Sequence, residues 1–266
     1  MELIYSQYFI SQIQQDRLRN YLLLFKSTFP NYKRDLHYLE WLYFQNPRGQ
    51  VLGFDAIFED RVVAHYACIP IKIFGFEGFH LLSLNTATAV EHQGKGLFTK
   101  LAELTFAKAI DFGFEGVVGV ANKNSVQGFL TKLGFKELGQ LNLRFGKISR
   151  ARNMTREFES KEIIWLKNQP GRKSFFRRLE SGDFIHSVWF PFFPFKLRTV
   201  CFTDQSSKQK VNARYGLTVD WSLTTERSLN LPASLKPSPL HLIYKSFNGK
   251  LVSPIHSWSY LDFDMI

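Results

Sequence analysis

The stretch Thr86-Ala-Thr-Ala-Val-Glu-His-Gln-Gly-Lys-Gly-Leu-Phe98 joins a strand-like pattern to a helical one through two glycines one residue apart. Glycine lets a turn approach a ligand with no Cβ in the way. The N–H groups that open a helix, here about Gly94 to Phe98, lack intrahelical partners and point outward. A helix start carries about half a positive charge, and Lys95 adds a mobile whole one. Such a turn binds anions, and a pyrophosphate fits it. Spacing excludes two common phosphate loops: there is no glycine four residues before a Gly-Lys-Ser/Thr, and no third glycine with a downstream acid after an early strand. Near the turn stand groups able to move a proton: Glu91 and His92 at its mouth, with His65 and Asp55 on strands predicted before it. His37, His80, His186, His241 and His256 show no metal-ligand spacing, so no metal is expected, and there is no Gly-x-Ser-x-Gly or His-Glu-x-x-His run.

The elements that must position this turn follow from hydrophobic periodicity. A helix is expected from about Ile10 to Phe29, and a second from after Asp35 to before Asn46-Pro47, where the pre-proline residue leaves the helical region. Val51–Phe58 and Arg61–Ile69 read as a hairpin around Glu59-Asp60. A third strand, Lys72–Phe76, turns into a fourth from Phe79 to about Val90. Past the glycines a helix runs to Phe112, followed by a short apolar fifth strand, Gly116–Val120. Asn124 then opens a helix, with Gln127 as capping-box partner, that ends at Gly134. This is a mixed α/β (α+β) fold with mainly antiparallel N-terminal strands.

The motif resembles the acyl-CoA site of the GNAT superfamily of N-acetyltransferases, whose pattern Gln/Arg-x-x-Gly-x-Gly/Ala follows the fourth strand. Gln93, Gly96 and the intervening Gly94-Lys95 match, while Phe98 replaces the last small residue. Gly116–Val120, Asn122-Lys-Asn124-Ser125 and Lys132-Leu-Gly-Phe135 then follow in the superfamily's order, so the resemblance covers about residues 35–145. It implies a GNAT-like fold with a cleft between splayed fourth and fifth strands. The pantetheine arm of acetyl-CoA, the implied cosubstrate, would lie there against Thr88, Ala89 and Val90. Its pyrophosphate would sit on Gln93, Gly94, Lys95, Gly96, Leu97 and Phe98. Asn124 either contacts it from the other wall or caps its helix. Glu91 and His65 are the candidate catalytic bases. In many relatives a Tyr just before the Leu-Gly-Phe ending serves as the acid; here Phe129 and Leu130 stand in those places. The implied acceptor is a small amine. Relatives with a segment like Trp41-Leu42-Tyr43…Asn46-Pro47-Arg48-Gly49 suggest an amino sugar or a nucleotide-linked one.

Residues 1–148 are expected to form this catalytic domain and 149–266 a smaller α/β region completing the acceptor site. Ser149–Lys161 reads as a polar linker, and Ser206–Lys210 as a loop. Val188–Phe195 is an apolar run that two prolines keep irregular. Leu240–Phe247 and Ser257–Ile266 read as strands. Trp41-Leu42 before Pro47 and Trp165-Leu166 before Pro170 form a faint echo, as a degenerate second GNAT-like half would leave.

The 266 residues, 45% hydrophobic and 21% charged, with 27 Phe, exclude a disordered chain. A net charge of +11 points to an anionic partner: nucleic acid, lipid head group or phosphorylated small molecule. Arg172-Lys173 and Arg177-Arg178 around Phe175-Phe176 motivate a nucleic-acid-binding module as one alternative, though no specific nucleic acid is expected; a catalytically silent CoA-binding adaptor is the other. Two cysteines, Cys68 and Cys201, make no disulfide framework and fit a reducing cytoplasm. Neither a signal peptide nor a long apolar span is read, so a cytoplasmic protein is expected. The oligomeric state is not encoded in any motif.

Overall fold

A computed structural model describes residues 3–30, 32–73, 76, 78–150, 156–180, 182–189, 196–201, 211–222, 228–230, 240–249 and 257–260. The chain opens on a small hairpin, β1 (Leu3–Tyr5) and β2 (Tyr8–Gln12), rather than on the helix expected from Ile10. Tyr8 and Ile10 are both buried, a period of two that the helical spacing of Ile10 and Ile13 masked in the sequence. Helix α1 (Leu18–Thr28) stops before Pro30, and α2 (Leu36–Phe44) starts where the Asp35 carboxylate accepts the Tyr38 N–H at 2.9 Å.

The hairpin of β3 (Leu52–Phe58) and β4 (Arg61–Ile73) turns through Glu59 and Asp60, both at positive φ (48° and 59°), as a two-residue connection of right-twisted strands requires. The expected third strand is no separate element; Lys72 and Ile73 simply finish β4. The expected fourth strand is β5 (Phe79–Thr88), two residues shorter than predicted. After it come α3 (Leu97–Asp111), β6 (Phe114–Asn122), α4 (Val126–Leu133) and the long β7 (Lys136–Arg150). Helix α4 closes at Gly134, whose φ of 69° is the left-handed C-cap that glycine supplies.

The rest comprises β8 (Arg156–Glu157), α5 (Ser160–Lys167), β9 (Ser174–Arg178), β10 (Phe184–Trp189), β11 (Lys196–Cys201), β12 (Val211–Ser222), β13 (Ser228–Asn230), β14 (Leu240–Ser246) and β15 (Ser257–Ser259). Of the predicted linker Ser149–Lys161, residues 151–155 lie outside the described residues; on either side β7 runs to Arg150, and a Glu159–Glu162 capping box starts α5. The Ser206–Lys210 loop, Phe190–Phe195 of the apolar run, and the predicted strand beyond Tyr260 lie outside the described residues.

One strand path runs β1-β2-β3-β4-β5-β6-β14-β7-β12-β11-β10-β9, with β8 on β4, β13 on β7 and β15 on β12. Neighbours are antiparallel except for β5 with β6 and β11 with β12, one parallel pair in each half. Strand β7 serves both halves. Its beginning pairs β14, from Lys136 to Leu141, and its remainder pairs β12, from Asn142 to Arg150. Strand β14, near the C-terminus, is inserted between β6 and β7 of the N-terminal half. The boundary expected at residues 148/149 therefore falls inside a shared strand, and residues 240–246 belong to the first sheet.

The halves are locked by the two echoed tryptophans. Trp41 and Trp165 stack with centroids 4.1 Å apart and planes 12° from parallel. Each indole N–H donates to the other residue's carbonyl, at 2.9 and 3.0 Å, the reciprocal pattern a local twofold axis produces. Arg48, from the Asn46-Pro47-Arg48-Gly49 segment, reaches Glu159 at 2.9 Å and Glu162 at 2.7 Å. Trp41 and Arg48 thus face the second half of the chain.

Candidate functional site

Parallel strands β5 and β6 are paired from Phe79/Phe114 to Ser83/Gly119 and then separate. From that fork a cleft of about 990 Å³ opens, walled by Leu84–Thr88 on one side and Gly119, Val120, Asn122 and Asn124 on the other. A bulge accompanies the separation of β5 from β6. On its β4 side, β5 steps from Ala87 to Leu84 while β4 steps only from His65 to Ala67, a bulge that leaves Asn85 and Thr86 without ladder partners. Asn85 sits at φ 49°, a conformation asparagine tolerates better than most residues. Strand β14 pairs the other edge of β6, from Gly116 to Asn122, and its Leu240 and Ile243 line the cleft.

At the open end lies the glycine turn. Gly94 and Gly96 have φ of 74° and 76°, which side chains with a Cβ rarely adopt, and Gly96 is the N-cap of α3. A Cβ on Gly94 would meet nothing, whereas one on Gly96 would lie 3.0 Å from the Tyr5 hydroxyl. The N–H groups of Gly94 to Phe98 meet no hydrogen-bond acceptor among the described residues. They stay free to grip an anion. The Gln93 amide is spent inward, donating to the Thr88 carbonyl at 3.1 Å and tying the turn to the end of β5. Lys95 lies 6.0 Å from the Tyr8 ring centroid, and Lys132 lines the cleft. No carboxylate lines it among the described residues.

No family model matches the sequence, and no curated protein is detectably similar to it. Solved structures are similar. A candidate acetyltransferase from Pyrococcus horikoshii superposes over 96% of this chain and 94% of its own, with TM-score 0.56 and 8% identity. A protein of Enterococcus faecalis V583, described as a candidate N-acyltransferase, covers 89% of this chain and 72% of its own, with TM-score 0.55 and 10% identity. A GNAT family N-acetyltransferase of Escherichia coli in complex with CoA covers 50% of this chain and 71% of its own, with TM-score 0.42 and 16% identity. The chain shares the mixed α/β, GNAT-like fold of the Pyrococcus and Enterococcus proteins.

Within this GNAT fold the expected coenzyme residues divide. Thr88, Gln93, Gly94, Gly96, Leu97, Phe98 and Asn124 line the cleft, whereas Ala89, Val90 and Lys95 do not. The Ala89 N–H is consumed by the Val63 carbonyl at 2.8 Å, and Val90 is 71% exposed. The strand edge that faces the cleft is therefore Leu84–Thr88, displaced toward the fork from the Thr88–Val90 expected. Asn124 does not cap its helix. Asn122 Oδ1 instead accepts the N–H groups of Asn124 and Ser125 at 2.9 and 3.1 Å, leaving the Asn124 side chain exposed at the rim.

Phe98, the departure from the GNAT pattern, has its space made by another glycine. A Cβ on Gly128 would come 3.4 Å from the Phe98 ring, which packs edge-on against Phe129 with centroids 5.1 Å apart. Phe129 is buried against Phe98 and Phe135 and offers no proton. Of the two candidate bases, Glu91 is exposed and outside the cleft lining, and His65 is buried beneath it with both ring nitrogens engaged. Neither side chain reaches the cleft. His92 does: it is 8% exposed, with Nδ1 3.0 Å from the Tyr8 hydroxyl. Sequence reasoning missed Thr28–Pro30 at the end of α1, Asn85, and the β14 residues. Only a polar Asn within an apolar strand run hinted at the bulge. No side-chain cluster suited to a metal occurs among the described residues, and none of their helices is long and apolar enough to cross a membrane.

Proposed function

We propose that this protein is an acyl-CoA-dependent N-acyltransferase that moves an acetyl group from acetyl-CoA to the primary amine of a small molecule. The observation that carries the reading is the forked cleft running straight into five unclaimed N–H groups at the start of α3. The pyrophosphate belongs on the turn Gly94–Phe98, where backbone donors and the helix dipole converge. From Thr88 back to Leu84 the strand edge extends about 13 Å at the usual rise per residue. A pantetheine arm laid along it brings the thioester to the fork, beside Asn85 and Thr86.

There the amine nitrogen attacks the thioester carbonyl carbon, forming the C–N bond and an oxyanion. The bulge leaves Asn85 and Thr86 backbone groups outside the ladder, and fixed donors at this place oppose the developing charge. Collapse of the intermediate breaks the C–S bond and releases CoA thiolate. With Phe129 in place of an acid, the thiolate leaves unaided, which a thiol of pKa about 8.5 tolerates near neutrality. The titratable side chains among the cleft-lining residues are His92 and Lys132, so the amine's proton passes to water rather than to a carboxylate. An amino sugar is the proposed acceptor, and the phosphates of a nucleotide-linked one suit a cleft lined by Lys132 and no carboxylate among the described residues. Acetyl-CoA should raise the thermal midpoint of the protein and release free thiol when an accepted amine is added. No thermal shift at millimolar acetyl-CoA removes the proposal.

A further inference from the structure

The two ends of the cleft have opposite hydrogen-bonding character. The glycine turn presents backbone donors, while the fork adds side-chain oxygens that accept, beside the backbone groups freed by the bulge. Asn85 lines the cleft two residues past Ser83, the last β5 residue paired with β6. Its Nδ2 donates to the Tyr43 hydroxyl at 3.0 Å. Behind it a row of buried groups runs inward: Tyr43 hydroxyl to His65 Nε2 at 2.9 Å, His65 Nδ1 to Asp55 Oδ1 at 2.6 Å, and the Tyr21 hydroxyl to Asp55 Oδ2 at 2.7 Å. The Gln14 N–H donates to the Tyr21 oxygen at 2.9 Å.

The bonds along the row share one consistent direction. A carboxylate only accepts, so His65 donates from Nδ1. The Tyr43 oxygen accepts from Asn85 Nδ2, so Tyr43 gives its own proton to His65 Nε2. Burial holds the Tyr43 phenol well above its usual range, so it keeps that proton. The Asn85 Oδ1 has no hydrogen-bond partner among the described residues. A carboxamide does not relay protons, so the row orients Asn85 rather than conducting through it.

We propose that Asn85 Oδ1 is the atom that docks the acceptor amine, with its carboxamide held oxygen-outward by the buried Tyr43–His65–Asp55 row. This rests on the acyltransferase reading above. A second observation supports it: the Thr28 hydroxyl, on the same cleft, is a buried oxygen with no hydrogen-bond partner. Thr28 ends α1, where the last carbonyls carry about half a negative charge. A carboxamide oxygen, an unfilled hydroxyl and a helix C-terminus together recognise a primary amine.

The test uses the full chain, acetyl-CoA, and ethanolamine, glucosamine and spermidine as probe amines. Acetyl-CoA binding is measured separately by thermal shift. Glycine adopts the Asn85 backbone conformation without strain, so Asn85→Gly should raise the KM of an accepted amine about tenfold or more, a larger change than in acetyl-CoA affinity. Asn85→Asp, which keeps an accepting oxygen, should restore most of that loss. Tyr43→Phe should raise the amine KM about threefold, with kcat changed less than KM, because the amide is then free to flip. An amine KM for Asn85→Gly within about twofold of wild type overturns the assignment. So does a wild-type protein that binds acetyl-CoA yet acetylates none of the three amines. Failure of the wild type to bind acetyl-CoA is a different result, and removes the acyltransferase reading itself.

Discussion

Each half of the chain has a helix, antiparallel strands and one parallel strand pair, yet among the described residues only the first sets a glycine turn and a helix start beside that pair. Between β5 and β6 lie residues 89–113, enough for the glycine turn and the 15-residue α3, whose unclaimed N–H groups face the fork. Between β11 and β12 lie residues 202–210, too few for a helix of that length and without a single glycine. The fork alone is thus scaffolding. Anion chemistry enters with the crossover, where a helix start is aimed into it. The second half keeps the packing role: it supplies α5 and Trp165 to the first half, and β14 to the wall of the cleft.

The comparison can be broken most forcefully at the shared tryptophan stack. Trp165→Ala removes a buried indole and the hydrogen bond its N–H donates to the Trp41 carbonyl, while the Trp41 N–H keeps its backbone acceptor, and should cost about 3–5 kcal/mol in chemical denaturation. A double-mutant cycle with Trp41→Ala should show strong coupling between them. Two separate unfolding transitions in the wild type would show instead that the halves do not depend on each other.

Acid should weaken both halves together. Burial lowers His80 on β5 to about 4. His186 on β10 falls to about 3 through burial and then the Arg172 charge. The unfolded chain, with histidines near 6.5, takes up protons first as the pH drops. Stability is therefore complete above pH 6.5 and is lost as pH falls toward 4, by roughly 2 kcal/mol per imidazole at pH 5. Equal denaturation midpoints at pH 7 and pH 5 would contradict neutral buried rings in both halves.

Glycine substitutions sharpen the functional side. Gly94→Val and Gly96→Val strain the turn and crowd the anion site, and should weaken acetyl-CoA binding about a hundredfold, roughly 2.7 kcal/mol. Gly171→Val and Gly182→Val, also at positive φ but in the second half, should lower stability while leaving that affinity alone. Lys95→Ala should have the smallest effect, about fivefold or 1 kcal/mol, shrinking as salt is added. Isothermal titration of each variant with acetyl-CoA reads these directly.

The glycine turn, the β3–β4 hairpin and the end of α4 were legible because local chemistry decides them: positive φ needs Gly or a tight polar pair, and an Asp cap announces α2. The forked pair was legible through order and resemblance. What escaped depends on partners distant in sequence. The Ile10 strand is set by Ala56, and β14 belongs to the first sheet only because β6 and β7 leave a space for it. The strand edge of the cleft was misplaced by a few residues because a bulge at Asn85 has no sequence signature beyond one polar side chain. His65 read as a candidate base from its type and its place on the second predicted strand, and its two bonds, to Asp55 and Tyr43, show that it points into the interior.

The insertion of β14 also sets a timetable. A ribosome delivers the glycine turn, the helix and both forked strands long before it reaches residues 240–246, so one wall of the cleft is the last part to be made. Until then β6 and β7 each expose an unpaired edge, and the nascent chain has no finished slot in which to hold a nucleotide thioester.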